Sequence, residues 1–107
     1  MATKFDIKEV SDGMLSALRE HTGKGWSKLK SVVREFDELN ADRLGMLAAE
    51  HLSGNINKEE FEQRLEDEKL MLEAQLNALN VIAKAAVQNA VNAAFDVFRD
   101  AVYSVLP

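Results

Sequence analysis

Residues 81–106, VIAKAAVQNAVNAAFDVFRDAVYSVL, form the most apolar stretch of this chain and the one that decides its fold. Its polar side chains recur at steps of four and three residues, at Lys84, Gln88, Asn92, Asp96 and Arg99. On an α-helix this spacing places them in one narrow stripe. The rest of the circumference is apolar, so the sequence predicts a helix that several neighbours cover.

Lipid is one candidate for what covers this stretch, because its length matches that of a membrane span. A span, however, needs about 20 predominantly apolar residues, and each charge at a bilayer centre costs about 2.5–3.5 kcal/mol. Lys84, Asp96, Arg99 and Asp100 all fall within the stretch. We therefore expect protein to cover it. A peripheral membrane or lipid-binding protein that exposes the same half-helix on demand is the alternative.

Two earlier segments have the pattern of a helix N-terminus. In INKEEF, residues 56–61, Asn57 can cap a helix while Glu60 reaches back, and Ile56 and Phe61 occupy the positions of a hydrophobic staple. FDIKEV, residues 5–10, repeats this pattern with Asp6 as the cap. GKG at 23–25 and SGN at 53–55 indicate turns. The predicted elements are helix 1 over about 7–21, helix 2 over about 26–52, a turn over 53–57 and helix 3 over about 58–106.

Helix 3 is predicted to be long because no Gly or Pro occurs between its start and Pro107. Its apolar residues follow a repeat of eleven residues over three turns, about 3.67 per turn, which favours a nearly straight helix of about 73 Å. The predicted fold is all-α: one domain over 1–107, an elongated antiparallel hairpin in which two shorter helices return along helix 3. In the rival layout, helix 1 folds back to give a compact three-helix bundle.

Helix 1 alone can cover only one side of the C-terminal half of helix 3, so we expect a second copy of the chain to cover the rest. The favoured assembly is a homodimer that forms a helical bundle. One alternative is a monomer in which helix 1 folds back and packing within the chain covers the rest, and another is an interface with a different helical protein. The predicted oligomer interface comprises Val87, Ala90, Val91, Ala94, Phe95, Phe98, Ala101, Val102 and Val105.

Charge is spread unevenly along the chain. The net charge is −5, which argues against general nucleic-acid binding. Residues 19–34 nevertheless carry five bases against one acid, whereas residues 35–73 carry twelve acids against four bases. A candidate patch for an acidic partner or an anionic surface comprises Lys24, Trp26, Lys28, Lys30 and Arg34. In the alternative interpretation, Trp26 begins the core face of helix 2 and the bases are merely solvated.

Glu68 interrupts the apolar stripe of helix 3 on the side that faces helix 2. Arg43 is its most plausible charged partner, and a buried pair of this kind can set the register between two helices without adding stability.

No residue pattern indicates catalysis, a metal or a cofactor. The chain has no cysteine, and its two histidines each follow a glutamate directly, so the two side chains point apart on a helix. The N-terminal MATKFDIKEV lacks an apolar signal core. We therefore expect a cytoplasmic, non-enzymatic scaffold, adaptor or assembly component, although export without such a signal is compatible with the sequence.

Overall fold

The computed structural model describes residues 5–106, and in this range the chain is all-helical, as predicted. Four α-helices account for most of the described residues: α1 (Ile7–Thr22), α2 (Trp26–Leu52), α3 (Lys58–Ala78) and α4 (Lys84–Ser104). A single turn of 3-10 helix, Gly23–Gly25, joins α1 to α2. The first two helices begin and end within one residue of the predicted positions.

The two predicted helix caps are confirmed. The Asp6 carboxylate accepts a hydrogen bond from the Lys8 backbone N–H at 3.0 Å, and Asn57 Oδ1 accepts one from the Glu60 N–H at 2.8 Å. Each bond satisfies a donor that the first turn of a helix leaves without a partner. The Glu60 side chain does not complete a capping box, because its carboxylate instead forms an ion pair with Arg64 at 2.9 Å.

Replacing Asn57 with alanine is expected to lower the free energy of unfolding by about 0.5–2 kcal/mol, since the Glu60 N–H loses its acceptor. Urea denaturation followed by circular dichroism measures this difference. Asn55→Ala is the matched control, because Asn55 is exposed and its side chain makes no hydrogen bond within residues 5–106. Equal losses in the two variants would show that the Asn57 cap is not what stabilises the start of α3.

The prediction of one helix over residues 58–106 is wrong, since α3 ends at Ala78 and α4 begins at Lys84. Asn80 lies in the left-handed region at φ 53°, where asparagine is the commonest residue after glycine at helix ends. Ala83 is extended, and its side chain cannot cap α4. The chain therefore reverses direction at residues 79–83, and α4 folds back along α3.

The elongated hairpin is wrong for the same reason. A continuous helix 3 would extend about 73 Å, whereas the described chain measures 40 × 26 × 21 Å. Folding back is favourable because it lets residues of the same chain cover the apolar circumference of α4. The rival layout was correct in folding helix 1 back, but it did not include the reversal between α3 and α4.

Each helix lies antiparallel to the next along the chain. Ser11 of α1 bonds to Asp37 of α2, Arg43 of α2 pairs with Glu68 of α3, and Arg99 of α4 pairs with Glu62 of α3. The most extensive packing is between α4 and α1, which closes the bundle. At this seam a Cβ added to Gly13 would lie 3.1 Å from Val97 Cγ1, so the missing side chain allows the close approach.

One continuous core occupies the centre of the bundle, with all four helices contributing to it. The two connections at one end also pack on each other, because a Cβ added to Gly25 would lie 2.6 Å from Ile82 Cγ2. Val81 and Ile82 are therefore half-buried although they belong to a connection.

Candidate interaction surface

The predicted oligomer interface lies inside the bundle. Its members Val87, Ala90, Val91, Ala94, Phe95, Phe98 and Val102 are each at most 1% exposed. Ala101 and Val105 are half-buried. Assigning this set to an interface between chains was therefore a mistake: α1 and α3 of the same chain cover it, and a second copy cannot reach it in this conformation.

The most exposed large apolar side chains of the described residues lie instead on α2. Leu39 is 73% exposed and Met46 is 65% exposed. With Arg43 between them, they occupy positions i, i+4 and i+7 and so share one helix face. Met71 of α3 lies beside them, its Sδ 3.8 Å from an Arg43 guanidinium nitrogen. We call Leu39, Arg43, Met46 and Met71 the α2 ridge.

An open apolar groove lies directly beside this ridge. Its volume is about 860 Å³, and Met46 stands at its edge. The other residues that line it come from the start of α1 and the segment before it, from α2 and from the residue after α4, namely Phe5, Ile7, Asp42, Gly45, Ala49, Leu52 and Val105. Asp42 is the one charged residue among them. A protruding apolar ridge and an apolar groove thus lie on one face of the molecule.

The structure brings Arg43 of the α2 ridge together with Glu68 of α3. Arg43 Nε lies 2.7 Å from Glu68 Oε1, and a terminal nitrogen donates to Oε2 at 2.9 Å, a bidentate geometry. Glu68 is 9% exposed, while the Arg43 side chain remains 53% exposed. The same guanidinium donates to Asn40, which donates to the Phe36 carbonyl at 2.8 Å. This network joins α2 to α3.

A second polar cluster, which the sequence did not reveal, joins α3 to α4. Glu62 accepts hydrogen bonds from Tyr103 Oη and, at 3.0 Å, from Arg99 Nε. Burial alone would raise the pKa of Glu62, but the bonds from Tyr103 and Arg99 lower it below its ordinary value. Burial together with the bond to Glu62 raises the pKa of Tyr103 to about 12. With these pKa shifts, Glu62 is negatively charged and Tyr103 is neutral at neutral pH. The cluster connects the N-terminal part of α3 to the C-terminal part of α4.

The candidate basic patch is divided by the structure. Trp26, Lys30 and Arg34 line a groove of about 340 Å³ between α1 and α2, together with Arg19, Leu15 and Ser16. Lys24 and Lys28 are exposed and do not line this groove. Trp26 is half-buried and packs against the core, as the alternative interpretation expected, while its indole also forms part of the groove wall.

The histidines have structural contacts. His21 Nδ1 lies 2.9 Å from the Ala17 carbonyl in the last turn of α1. His51 Nδ1 lies 3.1 Å from the Ile56 carbonyl, and the His51 ring stacks on Phe61 with centroids 4.5 Å apart. Within residues 5–106, no group of three or more histidine, aspartate and glutamate side chains is arranged to hold a metal ion.

None of the helices in the described part of the chain combines the length and the apolar character that crossing a bilayer requires. In comparisons with known proteins, no family model, no curated protein and no solved structure matches this chain.

The apolar pattern predicts an interface in residues 81–106 and does not indicate the α2 ridge. Leu39 stands alone among polar and charged residues, whereas Met46 lies in the apolar run LGMLAA over 44–49, whose two leucines are buried, so the pattern sets neither residue apart. The detectable signal is their position. They fall outside the stripe of Leu29, Val33, Phe36, Leu44 and Leu47, which supplies the core face of α2.

Proposed function

We propose that this protein is a non-enzymatic interaction module that self-associates through the α2 ridge and the adjacent apolar groove. The observation that carries the proposal is the presence of a protruding ridge and a receiving groove on one face. A two-fold contact brings the same patch of both copies together, so each copy supplies its ridge to the groove of the other. The sequence also favours a dimer, but through the apolar residues that the structure places on α4. The surface proposed here is the α2 ridge with its groove.

Charge around the ridge is compatible with this self-contact. Arg43 and Arg64 line the surface on the α3 side together with the acids Glu50 and Asp67, and Asp42 lines the groove. Because both signs are present, two copies related by a two-fold axis can place a base of one against an acid of the other. A surface of a single sign would repel its own copy.

The buried side chains supply the driving force. Leu39 and Met46 lie about two helical turns apart, roughly 11 Å along α2. Burying a leucine or methionine fully is worth about 1.5–3 kcal/mol. A dimer buries each residue twice, and the charged rim sets the alignment of the two copies. The assembled pair would serve as a helical scaffold or adaptor.

Met46→Lys is expected to weaken self-association by about 100-fold, because the loss of about 1.5 kcal/mol occurs in both copies. Size-exclusion chromatography with light scattering over a protein concentration series measures the native mass. The wild type should show the mass of a dimer, and the variant should show that of a monomer at the same concentrations.

Leu70→Lys is the matched control for this experiment. Leu70 is also an exposed apolar residue, at 51%, but it lies on α3 outside the ridge and the groove. The control should keep the wild-type mass. A wild type that is monomeric at every concentration, or equal losses in both variants, would contradict the proposal.

A further inference from the structure

The groove between α1 and α2 is lined by three bases and by no acid. Arg19 reaches it from the last turn of α1, and Lys30 and Arg34 reach it from the first half of α2. The tight Gly23–Gly25 turn makes the two helices antiparallel, so bases that are distant in sequence meet. Trp26 and Leu15 supply an apolar wall, and Ser16 supplies a hydroxyl group.

These bases have no acidic partner in the described structure. Within residues 5–106, none of Arg19, Lys30 and Arg34 forms an ion pair, although Arg43 forms one and Arg64 and Arg99 form two each. Lys30 and Arg34 are also one helical turn apart, a spacing at which like charges repel. An anionic group bound in the groove would relieve this repulsion.

The neighbouring surface contains the acidic side chains of this part of α2. Lys30 and Arg34 also border a second groove, and Glu35 and Glu38 line that one and not the groove that contains Arg19. The acids of α2 therefore do not enter the groove that contains Arg19. In a chain of net charge −5, this groove is a local concentration of unpaired positive charge beside the half-buried Trp26.

We propose that this groove binds an acidic segment of another protein. The guanidinium groups of Arg19 and Arg34 match the geometry of carboxylates, to which they can donate two hydrogen bonds each. The bases extend along two helices, and Lys24 and Lys28 lie exposed near one end. Such a row suits several carboxylates along a chain better than one phosphate group. Trp26 and Leu15 would contact the aliphatic parts of the bound segment.

This site is independent of the proposed self-association, because the groove lies beside the N-terminal half of α2, whereas the ridge starts at Leu39. One of the two proposals can therefore be contradicted by experiment while the other stands. Native mass reports on the ridge, and ligand titration reports on the groove.

Trp26 provides the signal for the test, since it is the only tryptophan of the chain and lines the groove. The fluorescence of the full-length protein is titrated with poly-L-glutamate, with inorganic phosphate and with phosphatidylserine vesicles. Poly-L-glutamate should change the emission in a saturable way, and its apparent affinity should fall as salt is raised. Phosphate and vesicles should bind more weakly than poly-L-glutamate.

Arg34→Glu is expected to weaken poly-L-glutamate binding by about tenfold or more, since one pairing is lost and one repulsion is added. Lys8→Glu is the matched control: it changes the net charge equally, and Lys8 is an exposed residue of α1 that does not line the groove. The control should keep at least half of the wild-type affinity.

Equal weakening by both substitutions would overturn the proposal, because it would show a response to net charge alone. No saturable response to poly-L-glutamate would also overturn it. Tighter binding of vesicles or of phosphate would assign the groove to an anionic lipid surface or to a phosphate group instead. Circular dichroism of both variants, which change exposed side chains, verifies that each is folded.

Discussion

Ala94→Glu is expected to remove a large part of the free energy of unfolding at neutral pH. Ala94 is 0% exposed, on α4 within the core. An uncompensated charge at such a position costs about 3–5 kcal/mol, which is comparable to the total stability of about 5–15 kcal/mol of a small domain. Circular dichroism with urea denaturation measures the loss, and native mass is measured on the same samples.

The pH dependence of this variant has a defined sign. A buried glutamate has a folded-state pKa above its unfolded value, because burial disfavours the carboxylate. The substitution therefore destabilises the fold least below the unfolded pKa of about 4.3, and it destabilises the fold more as pH rises towards the folded pKa. The deficit relative to wild type should be smaller near pH 4 than near pH 7.

Ala85→Glu is the control for Ala94→Glu. Ala85 is exposed in the first turn of α4, where a negative charge is favourable, so this variant should keep wild-type stability. For Ala94→Glu, the sequence pattern and the structure predict different results. If Ala94 faced another chain, the variant would remain folded with wild-type stability and would lose only its association. That outcome would contradict the core position of α4.

Phe61→Ala is expected to lower the free energy of unfolding by about 3–5 kcal/mol. Phe61 is 0% exposed. Its ring lies 4.5 Å from His51, 6.1 Å from Phe98 and 5.9 Å from Tyr103, measured between ring centroids. Removing it leaves a cavity where α2, α3 and α4 meet, and the surrounding rings lose their contacts.

Urea denaturation of wild type and Phe61→Ala measures this effect as a shift of the midpoint at an unchanged slope. Leu70→Ala is the control on the same helix, because Leu70 is 51% exposed and its truncation should change stability by no more than about 0.5 kcal/mol. A loss below about 1 kcal/mol for Phe61→Ala would show that the aromatic cluster is not a packed part of the core.

Local signals in the sequence were sufficient for the helix starts. Asp6 and Asn57 cap α1 and α3 because a short polar side chain next to a helix start can bond to the free N–H groups of the first turn. Ile56 and Phe61 are buried as their staple positions predict. These interactions involve residues at most five positions apart, so the pattern alone specifies them.

The reversal at residues 79–83 was not predicted, because its local signal is weak. Asn80 can adopt a positive φ, but most asparagines do not. The apolar spacing also continues through Leu79, Ala83 and Val87 as if the helix were unbroken. The reversal is favoured by tertiary packing, since it allows Val81 and Ile82 to contact the first connection and α4 to enter the core.

The pairing of Arg43 with Glu68 could be predicted in part from the sequence. The sequence placed Glu68 on a buried stripe facing helix 2, and an antiparallel α2–α3 hairpin brings Arg43 within reach of it. The α2 ridge and the groove lined by Arg19 and Arg34 could not be predicted from local sequence signals. Both combine residues from two or more helices, so neither exists until the bundle closes.

The sequence by itself determined that the chain is helical, where α1, α2 and α3 begin, and that the segment 84–102 must be covered. It determined these because capping and apolar periodicity act within a few turns of one helix. Only the tertiary structure decided what covers that segment and which apolar residues remain outside. Apolar burial has no direction along the chain, so a helix of the same chain and a second copy satisfy the same pattern, and the reversal at Asn80 selects the first.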